Sequence, residues 1–160
     1  MIMNNAVLRS VRYMLSLSEG RVIEIIKLSG LKVTPSDMAS WLKKDDEPEY
    51  REMSDEAMGH FLNGLIFFRR GKNEELPPPP LETRLTNNIV LKKLRVAFEL
   101  KDTDMLDIFN LVDFRISKPE ISAFFRKPGH KNYRECGEQV LRNFLKGLTQ
   151  RVKGKDKATS

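Results

Sequence analysis

Three residues in this sequence have side chains that can act as a nucleophile, a base or a metal ligand: His60, His130 and Cys136. A nucleophilic triad needs a histidine beside a serine or cysteine and a carboxylate that orients it, and a zinc site needs clustered ligands. His60 instead lies between the apolar Met58 and Phe61, His130 follows a proline-glycine turn, and Cys136 is typical of a small buried hydrophobe. No glycine-rich phosphate loop or metal-ligand spacing occurs either. We therefore expect a non-enzymatic protein with no cofactor, no metal and no catalytic residues.

A second group of polar residues is notable because it occurs twice. The tripeptide Tyr-Arg-Glu recurs after 83 residues, outside any apolar stripe. One interpretation makes it a ligand contact carried once per copy. The other makes it structural, with the tyrosine closing the end of a helical bundle while Arg and Glu pair with backbone ends or with each other. The residues are Tyr50, Arg51 and Glu52 in the first copy and Tyr133, Arg134 and Glu135 in the second.

The repeated tripeptide is part of a duplication that covers most of the chain. Residues 4–72 align with residues 87–155 without a gap at this offset, and 18 of the 69 aligned positions are identical. The paired asparagines Asn4-Asn5 recur as Asn87-Asn88, and the motif Phe-Leu-x-Gly-Leu also appears in both copies. Self-similarity at a fixed offset indicates two copies of one structural unit.

Each copy is predicted to contain four helices. Apolar residues recur at helical spacing, and no segment alternates with the period of a strand. Thr34 and Ser117 each precede an acidic residue by three positions, which predicts a capping box at the start of the third helix of each copy. The asparagine pairs are interpreted as N-caps of the first helices. The fold class is therefore all-α: two duplicated four-helix units joined by a proline-rich linker.

The linker divides the chain into predicted segments. Helical repeat 1 covers residues 4–72, and the proline-rich linker covers residues 73–86. The basic helical repeat 2 covers residues 87–155, and the tail at 156–160 is expected to be disordered. Four consecutive prolines favour polyproline II, a semi-rigid spacer. Ile66-Phe67-Phe68 is expected to pack against the linker or the second repeat, because large apolar groups seldom stay exposed together. The two repeats would then form one rigid unit.

The motifs present twice also resemble a known family. Asn-Asn-x-Val-Leu, Tyr-Arg-Glu and Phe-Leu-x-Gly-Leu together make the chain similar to the YehS-like bacterial proteins, a tandem pair of a domain of unknown function. The resemblance covers essentially the whole chain. It implies the tandem architecture, and it implies no activity, cofactor or catalytic residue.

The two copies differ most in charge. The first copy has 11 basic and 10 acidic residues, whereas the second has 15 basic and 8 acidic residues, within a total net charge of +6. The loop between the third and fourth helices is acidic at 45–49 and basic at 126–131. A basic half favours nucleic acid or another polyanion as a partner, although net charge also keeps proteins dispersed. The alternative function is a protein–protein adaptor or scaffold with no nucleic-acid ligand.

The polyanion contact is predicted on two helices of the second copy. On its fourth helix, basic residues and Gln150 recur at i, i+4, i+8 and i+11, which places them on one face. The corresponding residues of the first copy include Gly59 and Asn63, so this stripe belongs to the second copy alone. The candidate residues are Lys92, Lys93, Arg95, Arg142, Lys146 and Lys153.

Location and assembly are constrained less closely. No apolar run approaches the roughly 18 residues that span a bilayer, so we expect no membrane contact. No signal sequence is recognised, and a cytoplasmic location is expected. A single cysteine excludes an internal disulfide. The oligomeric state stays open.

Overall fold

The computed structural model describes residues 3–72, 75 and 77–159, and only the helical backbone of 155–159. The described residues form eight helices and no strand. The first unit contains α1 (Asn4–Leu15), α2 (Glu19–Leu28), α3 (Pro35–Leu42) and α4 (Asp55–Arg70). The second contains α5 (Asn87–Ala97), α6 (Asp102–Asn110), α7 (Lys118–Phe124) and α8 (Glu138–Thr159). Every helix of the second unit begins 83 residues after its counterpart, which confirms the predicted duplication and the all-α fold.

Short polar side chains define most of the helix starts. The hydroxyls of Ser18, Thr34 and Ser54 each accept a hydrogen bond from the backbone three residues later. Capping boxes are present at Thr34 and Ser117, as the sequence predicts. The asparagine pairs are not the caps, because Met3 and Thr86 occupy the N-cap positions. An asparagine side chain that reaches into the core is not free to cap its own helix.

Equivalent helix ends use the same unusual backbone conformation. Gly30 and its counterpart Asp113 have φ values of 98° and 53°, in the left-handed region that ends a helix. Ser16 and its counterpart Glu99 both have φ of 53°. The duplication therefore extends to the backbone of the turns.

Glycine sets the distance between the helices of each unit. A Cβ placed on Gly64 of α4 would lie 2.0 Å from the Ile25 carbonyl oxygen of α2. In the second unit, a Cβ on Gly147 would lie 2.2 Å from the Ile108 carbonyl oxygen. No side chain fits at these distances, so the repeated glycine lets α4 and α8 lie directly on the backbone of α2 and α6.

The first helix of each unit packs mainly against the fourth helix of the other unit. Helix α1 lies along α8, and α5 lies along α4, so the two inter-unit contacts are equivalent under the duplication. One hydrophobic core runs through both units. Ile66 is buried in it and Phe67 is half-buried, while Phe68 remains 39% exposed beside Arg21. The halves therefore form one body, although only part of the Ile66-Phe67-Phe68 segment is covered.

The C-terminal end differs from its prediction. Helix α8 continues to Thr159, so residues 156–159, predicted to be disordered, are helical, and Ser160 lies outside the described residues. The segment contains alanine and lysine, which are good helix formers, and no proline that would stop it. Adding residues to an existing helix avoids the cost of nucleation, so an apolar anchor is not required.

Candidate functional site

The paired asparagines hold the loop between the third and fourth helices. The Asn5 amide donates to the carbonyl oxygens of Trp41 (3.0 Å) and Arg51 (2.8 Å), and its Oδ1 accepts from the Met53 N–H (2.9 Å). Asn88 repeats these three bonds in the second unit, at 2.8 to 3.0 Å. Both asparagines are buried. Their role is therefore structural, and their partners in the second unit are Phe124, Arg134 and Cys136.

The arginine of each Tyr-Arg-Glu motif pairs with the acid of the adjacent capping box. Arg51 Nη2 lies 2.6 Å from Asp37 Oδ1, and Arg134 Nη1 lies 3.6 Å from Glu120 Oε2. The hydrogen bond from Arg51 lowers the pKa of Asp37, assisted by the capping bonds of Thr34. These contacts join the loop to the start of α3 or α7, which favours the structural interpretation of the arginines.

The tyrosine and glutamate of the motif have different surroundings. Tyr50 and Tyr133 are half-buried, and burial raises the pKa of both hydroxyls. Among the described residues, none hydrogen-bonds the buried hydroxyl oxygen of Tyr50. Glu52 and Glu135 are exposed. The tyrosine side chains are therefore partly withdrawn from solvent, whereas the glutamates are exposed to it.

Lys93 is removed from the predicted polyanion surface by its burial. Its side chain crosses from α5 to α4, where Nζ donates to Asn63 Oδ1 at 2.9 Å and to the Pro80 carbonyl at 3.1 Å. The residue is 8% exposed, and this burial lowers its pKa while the carboxylate of Glu82 opposes the shift. A phosphate on the surface would not reach this ammonium group without displacing the linker.

The Arg95 side chain is also occupied by contacts within the second unit. Its guanidinium donates to the Leu100 carbonyl (3.1 Å) and to Asp102 Oδ1 (2.7 Å), and it lies over the Phe125 ring. The neighbouring Lys92 is exposed. Of the three candidates on α5, Lys92 is therefore the one available to an outside ligand.

The candidates on α8 lie along its contact with α1. Arg142 and Lys146 are exposed, and Arg142 Nη2 lies 3.7 Å from Glu138. Lys153 is half-buried, with Nζ 4.2 Å from the centre of the Tyr13 ring. The α8 stripe thus borders a groove between the two units. Lys92 lines a separate cleft with Arg70 and Glu99, so the six candidates do not form one surface.

A basic cleft at the end of α7 combines Arg134, a candidate from the sequence analysis, with basic residues that the sequence analysis did not select. It has a volume of about 740 Å³ and brings together Lys118, Arg126, Lys131 and Arg134, together with Asp102 and Glu120. The charge reversal between the loops at 45–49 and 126–131 was the sequence feature that could have located it. In the described part of the chain, no ion pair joins those two loops.

His60 and Cys136, two of the three residues with potential catalytic chemistry, lie in different units and have different partners. His60 Nδ1 lies 2.6 Å from Ser29 Oγ and 3.0 Å from the Ser29 carbonyl oxygen, at the end of α2. The sequence analysis missed this pair, because the two residues are 31 positions apart. Burial raises the pKa of Cys136 to about 12, so its nucleophilic thiolate is scarce at neutral pH. Within the described residues, no group of three potential ligands could hold a metal ion.

Fold and repeated residues together define a tandem, all-helical duplication whose shared polar side chains hold its own loops in place. The chain belongs to the family described as "Protein of unknown function (DUF1456)", whose model matches residues 4–71 and again 87–154. It is 47% identical over 150 residues to the uncharacterized protein YehS of Escherichia coli (strain K12), which covers 94% of this chain and 96% of that protein. The resemblance to YehS-like proteins is thereby confirmed. No solved structure matches the chain.

The described helices include none that is both long and apolar enough to cross a membrane.

Proposed function

We propose that this protein is a non-enzymatic binding protein whose second unit contacts the phosphate backbone of nucleic acid. The observation that carries the proposal is the basic cleft at the end of α7. Its cationic side chains Lys118, Arg126 and Lys131 are exposed and line one surface cleft, so phosphate oxygens can reach them. Lysine and arginine contacts to phosphates supply most of the non-specific affinity of nucleic-acid-binding proteins.

Comparison with the first unit supports the choice of this cleft. Lys118 occupies the position of Pro35, and Lys131 occupies the position of Pro48. The first unit carries the acidic loop 45–49 where the second carries 126–131. The added charge is thus concentrated at one end of the second unit. This concentration of positive charge does not depend on the buried Lys93.

The proposal is tested by fluorescence anisotropy with labelled single-stranded and double-stranded oligonucleotides across a series of salt concentrations. We expect binding at low salt with little sequence preference, because phosphate contacts carry no base readout. The triple variant Lys118→Gln, Arg126→Gln and Lys131→Gln should bind more weakly, because all three residues line the cleft. Each lost phosphate contact should lower the salt slope by about 0.9 for duplex and about 0.7 for single strands.

A charge-matched control separates a local contact from a change in net charge. Lys27→Gln, Lys32→Gln and Lys44→Gln remove three exposed positive charges from the first unit. This variant should retain the salt slope of the wild type. Equal losses in the two triple variants, or no binding by the wild type at tens of micromolar, would contradict the proposal.

A further inference from the structure

The duplication creates two equivalent grooves, and the chain itself fills one of them. The first groove lies between α4 and α5, and the second lies between α8 and α1. The linker segment 79–82 runs along the first. The second is an open groove of about 410 Å³ lined by α1 and α8. The filled groove therefore shows how this fold holds an extended chain segment.

In the filled groove, polar side chains from both helices bind the carbonyl oxygens of the linker. The Asn63 amide on α4 donates to the carbonyls of Pro79 and Pro80, each at 3.3 Å. Lys93 on α5 donates to the same Pro80 carbonyl. Gly59 leaves room for the backbone, because a Cβ there would lie 3.1 Å from the carbonyl oxygen of Glu82. The groove thus offers donors to a segment whose prolines have no N–H to donate.

The open groove carries the same kinds of donor with the helices exchanged. Lys146 on α8 occupies the position of Asn63, and Ser10 on α1 occupies the position of Lys93. An ammonium group and a small polar group therefore line both grooves, on opposite helices in the two cases. Both residues border the open groove, together with Ala6 and Thr149.

One substitution gives the open groove its own selectivity. Arg142 replaces Gly59 and brings an exposed guanidinium to the position where the linker backbone passes in the first groove. The open groove is consequently basic, whereas the filled groove contains one buried ammonium group. A segment held here gains from a carboxylate that can pair with Arg142, since guanidinium–carboxylate hydrogen bonds are among the strong ones.

We propose that the groove between α1 and α8 binds an extended, proline-containing peptide with an acidic side chain, as the linker binds between α4 and α5. Carbonyl oxygens of the peptide accept from Lys146 and Ser10, and its carboxylate pairs with Arg142. Proline suits the site because a polyproline II segment presents unpaired carbonyls and is already extended. This surface is separate from the α7 cleft, so the inference does not depend on the proposed function.

The test uses a labelled hexapeptide with the sequence of residues 77–82, Pro-Pro-Pro-Pro-Leu-Glu, and the full chain with any tag at its C terminus, away from α1. We expect saturable binding in fluorescence anisotropy. Lys146→Gln combined with Arg142→Gln should weaken it roughly tenfold or more, the effect of losing charge-assisted hydrogen bonds. A peptide with Lys in place of its Glu should also bind more weakly. Amide NMR shifts of Ala6, Ser10 and Thr149 should move on titration.

Two controls make the result decisive. Lys27→Gln combined with Lys32→Gln removes two exposed charges outside this groove and should leave peptide binding unchanged. No saturation up to about 1 mM, or equal binding by the two double variants, overturns the proposal. It is also overturned if a single-stranded oligonucleotide displaces the peptide and depends on Arg142 and Lys146, because the groove is then a polyanion site.

Discussion

The two inter-unit grooves show how a duplicated scaffold separates structure from binding. Between α4 and α5, Lys93 and Asn63 are buried and bind the linker, so their polarity is used within the molecule. Between α8 and α1, Arg142 and Lys146 occupy equivalent places and remain exposed. Several residues that are identical in the two copies, such as Asn5 and Asn88 or Gly64 and Gly147, hold the fold together. Residues that differ mark where the copies meet different surroundings.

The largest expected effect on stability concerns a close helix contact that occurs once in each unit. Gly64→Ala and Gly147→Ala should each destabilise the protein by about 3 kcal/mol, because a Cβ overlaps a backbone oxygen that cannot move independently. Urea unfolding measures the loss. Similar values for the two variants would support the equivalence of the units, and a loss under 1 kcal/mol at either site would contradict the close helix contact.

A matched glycine on another helix provides the control. Gly20 lies in α2, and a Cβ placed there meets no described atom within 4 Å. Gly20→Ala should therefore stabilise the protein by about 0.5 to 1 kcal/mol through helix propensity and reduced flexibility of the unfolded chain. A destabilisation as large as that of Gly64→Ala would show that the effect is not due to the contact with Ile25.

The second prediction concerns the asparagine pairs. Asn5→Ala and Asn88→Ala should each cost about 2 kcal/mol, since the buried N–H of Met53 or Cys136 loses its acceptor. Thermal and urea unfolding of both variants test this. Asn5→Ala should also loosen the loop that carries Arg51, which faster amide hydrogen exchange would show. An unchanged midpoint would mean that water replaces the amide without cost.

The sequence was sufficient to predict the duplication, the helices and the capping boxes, because these depend on local patterns repeated at one offset. It misassigned the asparagine pairs, because an asparagine near a helix start is typical of a cap. Only the folded chain brings Asn5 to Met53, 48 residues away. Polar residues that hold distant loops have no local pattern of their own.

The candidate basic residues were harder to predict for a related reason. Lysine at position 93 gives no sequence indication of burial, since its charge usually keeps it at the surface. Its burial depends on Asn63 and on the linker carbonyls that solvate the ammonium group. The exposed basic loop at 126–131 was visible in the sequence, but its position beside Lys118 required the fold.

A third, smaller effect should separate the two grooves. Lys93→Met removes the hydrogen bonds to Asn63 and the linker and should cost about 1 kcal/mol, whereas Lys146→Met should stay within about 0.5 kcal/mol because that side chain is exposed. Trypsin should also cleave after the exposed Arg84 faster in Lys93→Met, as the linker detaches. Equal stability losses at the two positions would remove the distinction between a filled and an open groove.

The stability difference between the wild type and Lys93→Met should depend on pH with a defined sign. Burial lowers the pKa of Lys93 in the folded state, so the unfolded state binds more protons between that value and about 10.4, the ordinary pKa of lysine. The stability that wild type has over Lys93→Met should therefore rise with pH across this interval. A difference that falls with rising pH would contradict the burial of the ammonium group.

The smallest effect on stability is expected for an exposed ion pair that occurs in both units. Arg51→Ala and Arg134→Ala each remove an ion pair to the acid of a capping box, Asp37 or Glu120. Exposed ion pairs contribute at most about 1 kcal/mol, and the 3.6 Å pair of Arg134 should contribute less than the 2.6 Å pair of Arg51. Urea unfolding at low and high salt measures both, and salt should reduce the difference from wild type. A loss of several kcal/mol that persists in salt would show that the arginine stabilises the fold through more than its ion pair. The Tyr-Arg-Glu motif would then be tested for ligand binding.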